Sequence, residues 1–292
     1  MGILGGSILV ARGMSDDDEP VGGAVPVSGA ARAATQASPT PTGPSPEELA
    51  AQERARRAKA LDAALKKFAT GKPEFSVAVL DRKTGETYAF RGTERYETAS
   101  VVKVQVLACL LLTAQDDDRK LTASERQLAD KMIRLSDNDS TTALFGQLGR
   151  SGGITACNKR LGLTETRVSS SWGLTRTTVT DQVKLLTELV DDESELTEAS
   201  RTYAAKLMGT VAQDQDWGVP AAAKTGEKST VKNGWLARST ENNLWIINSV
   251  GRITGGDTDV SIAVLSHANQ TMPAGITMVE KVAKLTRTHL KY

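Results

Sequence analysis

Residues 99–112 read Ala-Ser-Val-Val-Lys-Val-Gln-Val-Leu-Ala-Cys-Leu-Leu-Leu. The run is almost wholly apolar, which is typical of a helix buried in a protein core. Lys103 follows Ser100 by three positions, so both side chains lie on one helix face, one turn apart. Because burial lowers the pKa of a lysine, this stretch predicts a serine nucleophile with a neighbouring base. The alternative is a chance pairing in which the lysine extends its ammonium group to the surface.

Two further motifs follow in order along the chain. Ser-Asp-Asn stands at 136–138, after a helix-like Met-Ile-Arg-Leu, and Lys-x-Gly tripeptides occur downstream. Ser-x-x-Lys, Ser-Asp-Asn and Lys-Thr-Gly form the motif set of class A β-lactamases and penicillin-binding proteins. Over about residues 46–292 the chain resembles that superfamily of serine hydrolases.

The Lys-x-Gly motif has three candidates. Residues 83–85 lie in the predicted turn of an amino-terminal hairpin, before the nucleophile, and are expected to be structural. Residues 224–226 spell Lys-Thr-Gly but stand in a loop-like segment after three alanines. Residues 232–234, Lys-Asn-Gly, lie in a strand-like segment that two more predicted strands follow, as the family's sheet requires. We therefore prefer Lys232 over Lys224.

The resemblance implies a role for each catalytic side chain. Ser100 is expected to attack an activated amide carbonyl and form an acyl-enzyme, with Lys103 taking its proton. Ser136 is expected to relay that proton to the leaving nitrogen. Asn138 is expected to hold both Lys103 and the amide of the substrate, whereas Asp137 is expected to be a turn or packing residue.

The strand motif is expected to bind the substrate. By the resemblance, Lys232 is a catalytic residue that supplies positive charge near Ser136 and anchors a substrate carboxylate. Asn233, Gly234 and Trp235 are expected to contact the substrate. The backbone N–H groups of Ser100 and Trp235 form the expected oxyanion site.

The sequence departs from class A β-lactamases in the omega loop. That family carries a glutamate after a tryptophan, and the glutamate activates the water that removes the acyl group. Here Gly173 follows Trp172, the loop is shortened, and Glu165, the nearest carboxylate, is expected to be solvated. We therefore expect a serine hydrolase with slow or altered deacylation, acting on β-lactams or a peptide-like amide or ester. The alternatives are a penicillin-binding or sensing module without turnover, and a D,D-peptidase or esterase on cell-wall substrates.

The resemblance, together with the pattern of segments, implies an α+β fold of the β-lactamase or transpeptidase type. An antiparallel five-stranded sheet with flanking helices (residues 46–98 and 190–292) is expected to adjoin an all-helical part (residues 99–189). Residues 1–45 are predicted to be an apolar stub followed by a disordered Pro/Ala/Ser-rich tether. The hydrolase domain spans 46–292. Its predicted segments are an amino-terminal helix to about residue 69, a hairpin at 75–90, helices within 99–189, strands near 232, 244–251 and 260–266, and a last helix at about 275–289.

The sequence offers few residues for other catalytic mechanisms or for metal binding. His267 and His289 are the two histidines, and a structural role is favoured for both, which leaves little material for a Ser-His-Asp triad. Cys109 is interpreted as a small core residue, and Cys157 stands near a loop, far from any metal-ligand spacing. No metal or cofactor is therefore indicated.

The formal net charge is +1, with acidic and basic residues interspersed, so no nucleic-acid partner is indicated. We expect a monomer. Residues 1–12 are apolar but too short to span a bilayer and lack the basic start of a signal peptide. Because a long tether follows and the family acts outside the cytoplasmic membrane, we expect a secreted or membrane-tethered protein.

Overall fold

The structure, a computed structural model, describes residues 43–292. The predicted apolar stub and nearly all of the predicted tether lie outside the described residues. Helices and short strands alternate before a carboxy-terminal run of long strands. In chain order the elements are α1 (Pro46–Ala69), β1 (Phe75–Asp81), β2 (Glu86–Phe90), β3 (Tyr96–Glu97), α2 (Val102–Asp116), α3 (Ala123–Arg134), α4 (Asn138–Gln147), α5 (Arg150–Arg160), β4 (Arg176–Thr177), α6 (Val179–Glu188), α7 (Glu198–Met208), β5 (Lys228–Arg238), β6 (Leu244–Gly255), β7 (Thr258–Ser266) and α8 (Met272–Leu290).

Five antiparallel strands form the main sheet in the order β2-β1-β7-β6-β5, and β3 pairs with β4 in a separate two-stranded sheet. The register pairs Trp235 with Ile247 on β5 and β6, and Ala78 with Ala263 on β1 and β7. This arrangement confirms the predicted α+β class and the five-stranded antiparallel sheet. The motif strand β5 lies at one edge, so one of its sides is open to the cleft described below.

Helix α1 begins where the sequence predicts. The Ser45 hydroxyl accepts a hydrogen bond from the Glu48 backbone, the Glu48 carboxylate accepts one from the Ser45 backbone, and Pro46 takes the first helical position. Leu61 and Leu65 are the buried residues of the helix. They pack with α8 against one face of the sheet, so this helix closes the side away from the helical part.

Strand alternation divides the core between the two faces of the sheet. On β1, Ala78 packs into the cluster formed with the helical part, whereas Val77 and Val79 pack into the cluster that contains residues of α1 and α8. On β7, Ala263 and its alternating neighbours follow the same division. The two layers of helices are thereby held on opposite faces of one sheet.

Helix α2 lies at the centre of the helical part, as its apolar sequence predicts. The segment Ala99–Asp116 is apolar and long enough to cross a bilayer, but 83% of it is buried inside the protein, as in the core helix of a soluble domain. Its burial places Lys103 deep in the structure and fixes the start of the helix beside β5.

A disulfide bond joins Cys109 of α2 to Cys157 of α5. Cys109 is buried in the core, as interpreted, but it is bonded to Cys157 and is not a separate small apolar residue. The sequence separation of 48 residues concealed the pairing, because cysteine spacing alone does not reveal which helices lie side by side. The bond ties the central helix to its neighbour within the helical part.

Candidate active site

Ser100, the predicted nucleophile, stands in a single 3₁₀ turn, Ala99–Val101, that leads into α2. Ala99 adopts a left-handed backbone with φ of 46°, which is uncommon for a residue with a side chain. Ser100 is half-buried and lines the catalytic cleft. The turn leaves the hydroxyl at the start of a long buried helix, where the free N–H groups and the positive end of the dipole favour an oxyanion.

Lys103, one turn further along, is fully buried. Its ammonium group donates to the Ser136 carbonyl at 2.5 Å, to Ser136 Oγ at 3.2 Å and to Asn138 Oδ1 at 2.9 Å. It also lies 5.1 Å from the centre of the Trp172 ring. Burial lowers the pKa of Lys103 to about 8, although the charge of Asp137 opposes that shift. The amine is therefore close to the range in which a general base works at neutral pH.

The Ser-Asp-Asn segment turns sharply at Ser136, whose φ is 56°. Asp137 then caps α4 by accepting a hydrogen bond from the Ser140 backbone at 2.7 Å, which confirms its interpretation as a turn residue. This cap fixes the residues on either side of it. Ser136 and Asn138 consequently reach the same lysine.

Lys232 reaches the site from β5 and is also fully buried. Its Nζ donates to Ser136 Oγ at 3.0 Å and to the Asn233 carbonyl at 2.8 Å. Burial lowers its pKa well below the usual value, and the charge of Lys103 lowers it further. The Ser136 hydroxyl thus lies between two lysines whose surroundings both favour the neutral amine.

Glycine at 234 permits the strand to approach the nucleophile turn. A Cβ at this position would lie 2.8 Å from both the Ser100 nitrogen and the Thr98 carbonyl oxygen, and 2.9 Å from the Val101 nitrogen. Distances under 3.0 Å to backbone atoms require the backbone itself to shift. Only glycine allows β5 and the turn to contact each other directly.

The structure does not bring the Asn233 side chain to the cleft. Asn233 is buried, and its amide donates to the backbone carbonyls of Gln215 and Trp217 at 2.7 and 3.0 Å. The next residue but one, Trp235, is half-buried and lines the cleft together with Ser100. The side chain of Asn233 therefore holds the preceding loop against β5.

The cleft has a volume of 590 Å³, within the usual range for small-molecule sites. Among the described residues that line it, no aspartate or glutamate occurs, whereas Arg150 and Arg238 do. Glu165 instead pairs with Arg95 and keeps 47% of its side chain exposed. The cleft consequently has a cationic lining, and the nearest sequence candidate for a water-activating carboxylate lies outside it.

The two other Lys-x-Gly tripeptides lie elsewhere. Residues 83–85 form the turn between β1 and β2, as predicted, and Lys224 stands in the exposed segment before β5. Both tripeptides contribute residues to a separate cavity and none to the cleft.

Comparison with known proteins agrees with this architecture. The family model described as "Beta-lactamase enzyme family" matches residues 56–126 and 114–290. The chain belongs to the β-lactamase enzyme family. Its fold is similar to that of a class A β-lactamase from Mycobacterium abscessus, at 20% identity and a TM-score of 0.69, over 80% of this chain and 100% of that one.

A solved structure of PBP-A has a similar fold. The acyl-enzyme complex of a leucine-to-glutamate mutant of PBP-A with penicillin G matches at 15% identity and a TM-score of 0.70, over 80% of this chain and 97% of that one. A β-lactamase from Xanthomonas campestris pv. campestris matches at 20% identity and a TM-score of 0.69, over 80% and 98%. At these identities the likeness shows the fold alone.

Among curated proteins, the chain is 28% identical over 172 residues to the putative lipoprotein LppW of Mycobacterium tuberculosis H37Rv. The match covers 55% of this chain and 54% of the relative, so the chain spans about half the length of the curated relative. The matched segment therefore also occurs in a protein that is described as a lipoprotein.

Sequence reasoning missed several residues of the cleft. Thr142 accepts a hydrogen bond from the Trp172 indole at 3.2 Å and so holds that ring beside Lys103. Arg238 lies at the end of β5 and pairs with Glu97 at 2.8 Å, and Arg150 starts α5. For Arg238 a signal existed, because it lies six residues after Lys232 on one strand and therefore on the same face. Arg150 and Thr142 carry no comparable signal.

Proposed function

We propose that this protein is a serine hydrolase that is acylated at Ser100 by β-lactams or by a peptide-like amide or ester, and that releases the acyl group slowly. The observation that supports this most strongly is the chain of hydrogen bonds from buried Lys103 through Ser136 to buried Lys232, at 3.2 and 3.0 Å. Burying two lysines on one hydroxyl is costly for stability, which is typical of a site selected for chemistry.

In the proposed acylation, Ser100 Oγ bonds to the carbonyl carbon of the substrate while its proton passes to the neutral amine of Lys103. The tetrahedral oxyanion accepts hydrogen bonds from the backbone N–H groups of Ser100 and Trp235. When the bond from carbon to nitrogen breaks, Ser136 donates its proton to the leaving nitrogen and recovers one from a neighbouring lysine. Asn138 keeps Lys103 in place through the 2.9 Å hydrogen bond.

The cationic lining favours a substrate that carries a carboxylate. Arg150 and Arg238 line the cleft, where no described lining residue is acidic, and Lys232 lies buried beside Ser136. A carboxylate that binds near Lys232 would raise its pKa again, since an opposite charge favours the ammonium form. Binding of a carboxylate and protonation of Lys232 are thus coupled.

Deacylation is proposed to be slow because the cleft lacks a carboxylate base. Gly173 stands where the class A glutamate is expected, and a Cβ there would meet no atom within 4 Å. The Trp172 ring lies beside Lys103, so the amine is shielded on one side from water. The PBP-A mutant, in which a glutamate replaces a leucine, carries penicillin G as an acyl-enzyme, which shows that this fold supports such an adduct in that protein.

We further propose that the domain acts outside the cytoplasm, secreted or tethered to the membrane. A disulfide within the helical part is typical of proteins that fold in an oxidising compartment. The lipoprotein description of the mycobacterial relative supports the same location. Both observations are independent of the family's catalytic motifs.

Intact-protein mass spectrometry after brief incubation with a penicillin or a chromogenic cephalosporin tests the proposal. We expect a mass increase equal to the whole β-lactam, which persists while little hydrolysis is seen by absorbance. Ser100→Ala and Lys232→Ala should abolish the adduct, whereas Lys224→Ala, an exposed control outside the cleft, should retain it. An adduct on Ser100→Ala, or its loss in Lys224→Ala with retention in Lys232→Ala, would contradict the assignments.

The same experiment separates the alternatives. Turnover without an adduct would indicate a β-lactamase that activates water without the usual glutamate. Absence of both signals, together with hydrolysis of an acyl-D-Ala-D-Ala peptide or thioester, would indicate a peptidase or esterase. A persistent adduct without any turnover would indicate a penicillin-binding or sensing module.

A further inference from the structure

A second cavity lies between α1, the β1–β2 hairpin, the segment before β5 and the end of α8. Its volume is 730 Å³, larger than the 590 Å³ of the catalytic cleft, and within the described part of the chain the two share no lining residue. This volume suits a drug-sized molecule and is far larger than a single small ion needs. The catalytic proposal makes no use of it.

Arg287, from the last turn of α8, lines this cavity although only 9% of its side chain is exposed. Its Nη2 donates to Glu227 Oε1 at 2.6 Å and to Thr258 Oγ1 at 3.3 Å. Its Nε and Nη1 are buried and find no acceptor among the described residues, and the same holds for the Tyr88 hydroxyl. Three buried polar atoms of two lining side chains are therefore left without a protein partner.

The carboxylate beside Arg287 is already used. Glu227 Oε1 accepts from Arg287 and from the Thr258 hydroxyl, and Glu227 Oε2 accepts from the Lys224 backbone at 2.7 Å. Arginine only donates, and a tyrosine hydroxyl donates readily. Because burying an unpaired polar group costs free energy, the unpaired donors favour a ligand with acceptor oxygens.

The lining carries charges of both signs, with basic side chains in excess. The basic residues are Arg54, Arg57, Lys83, Lys224, Arg287 and Lys291, and the acidic ones are Asp81, Glu86, Glu227 and Asp257. Lys83 and Lys224, from the two Lys-Thr-Gly tripeptides that lie outside the catalytic cleft, both line this cavity and are exposed. Neither has a carboxylate within 4.0 Å among the residues that the structure describes. The excess of basic side chains in the lining, together with the unpaired N–H groups of Arg287, favours an anion.

The walls are apolar. Val79 of β1 and Ala58 of α1 line the cavity on one side. Leu290, at the end of α8, and the ring of Tyr292, which follows that helix, also line it. The Tyr292 ring lies 5.0 Å from the Arg287 guanidinium carbon, so it flanks the cationic floor with an aromatic surface. A ligand in this cavity therefore needs both a charged group and an apolar body.

We propose that this cavity binds an amphipathic organic monocarboxylate. Its carboxylate accepts hydrogen bonds from Arg287 and Tyr88, and its apolar body lies against Val79, Leu290 and the Tyr292 ring. The site is independent of Ser100 chemistry and stands even if the protein never forms an acyl-enzyme.

Isothermal titration calorimetry with octanoate, and with octan-1-ol as the uncharged analogue of equal chain length, tests the proposal on the full chain. We expect one octanoate per chain with a Kd below about 1 mM, and binding of the alcohol at least about tenfold weaker, the loss typical of a charged hydrogen bond. Equal binding of acid and alcohol, or no octanoate binding up to that concentration, would overturn the proposal.

Matched variants locate the binding. Ala58→Phe, which fills the cavity from α1, should abolish octanoate binding, whereas Ala55→Phe on the exposed side of the same helix should not. Tyr88→Phe, which removes one oxygen, and Arg287→Met should each weaken binding, with folding verified by circular dichroism. Octanoate could also bind in the cleft that contains Ser100, because arginines line it. Arg150→Met tests for binding at that place. Loss of binding in Arg150→Met with retention in Ala58→Phe would place the anion in the catalytic cleft and refute the second site.

Discussion

Gly234 of β5 contacts the backbone of Ser100 so closely that a single added carbon would lie 2.8 Å from the Ser100 nitrogen. The strand that carries Lys232 and the turn that carries Ser100 are therefore positioned against each other by backbone contact. A contact of this kind has no room to adjust through side-chain rotation. The relative placement of the two motifs depends on one missing Cβ.

Gly234→Ala should therefore separate β5 from the nucleophile turn and damage the site. We expect acylation by a penicillin to slow at least about a hundredfold, since small misplacements in a catalytic site cost that much. We also expect a loss of about 1–3 kcal/mol in the free energy of unfolding, as for overpacking in a close-packed interior. Stopped-flow acylation and denaturant unfolding measure the two effects. Gly173→Ala, where a Cβ meets no atom within 4 Å, is the control, and equal behaviour of the two variants would contradict this explanation.

The pKa of Lys103, lowered to about 8 by burial, predicts the pH dependence of acylation. Below that pH the amine is protonated and accepts no proton from Ser100, so the rate should fall about tenfold per pH unit. Above about pH 8 the amine is neutral and the rate should level off. Single-turnover acylation between pH 5.5 and pH 10, at about constant ionic strength, measures the profile.

Lys103→Met keeps the length of the side chain and removes the base. It should lower acylation at pH 8 by at least about a hundredfold and abolish the rise with pH. A variant that retains the same pH profile would show that another group takes the proton.

The ordered motifs predicted the fold through the family resemblance that they carry, and the local patterns placed its elements along the chain. The apolar run predicts the buried helix, and the three carboxy-terminal strand patterns predict the β5–β6–β7 part of the sheet. They also led to the choice of Lys232, which the structure places beside Ser136, over Lys224, although the exact Lys-Thr-Gly spelling favours the latter. Local context carried more information than spelling.

Contacts between distant segments could not be predicted in the same way. The disulfide between Cys109 and Cys157 depends on α2 lying beside α5, which no local pattern reveals. Arg150, at the start of α5, likewise reaches the cleft only through the packing of the helical part. Such placements are properties of tertiary packing. The Asn233 side chain was also expected at the substrate, but strand alternation, which is a local pattern, places it on the face opposite Lys232, where it donates to the Gln215 carbonyl.

The disulfide predicts a measurable stability difference. Cross-linking two positions 48 residues apart restricts the unfolded chain by about 4 kcal/mol in the chain-entropy model, which is model-dependent. The double variant Cys109→Ala and Cys157→Ala should therefore melt about 10 °C lower than the parent protein. Thermal unfolding followed by circular dichroism measures this shift. Two free thiols in the parent protein, titrated under denaturing conditions without reductant, would contradict the bond.

Gly173 offers a direct test of why deacylation is proposed to be slow. Its Cβ would stand in open space, its backbone lies outside the left-handed region, and it lines the cleft with Ser100 and Trp172. A glutamate at this position adds the carboxylate that the described lining lacks. Gly173→Glu should shorten the lifetime of the Ser100 adduct at least about a hundredfold, the lower range for a general base.

The matched control is Gly173→Gln, which has the same size but no basic oxygen. It should acylate as fast as Gly173→Glu and keep the long-lived adduct, because the added group fills the same space without accepting a proton from water. The time course of adduct loss by intact mass, after excess β-lactam is removed, measures both variants. If glutamine shortens the lifetime equally, the loop controls deacylation through its shape. If neither variant changes it, the limiting feature is the shielding of water by Trp172, and Trp172→Ala should then shorten the lifetime.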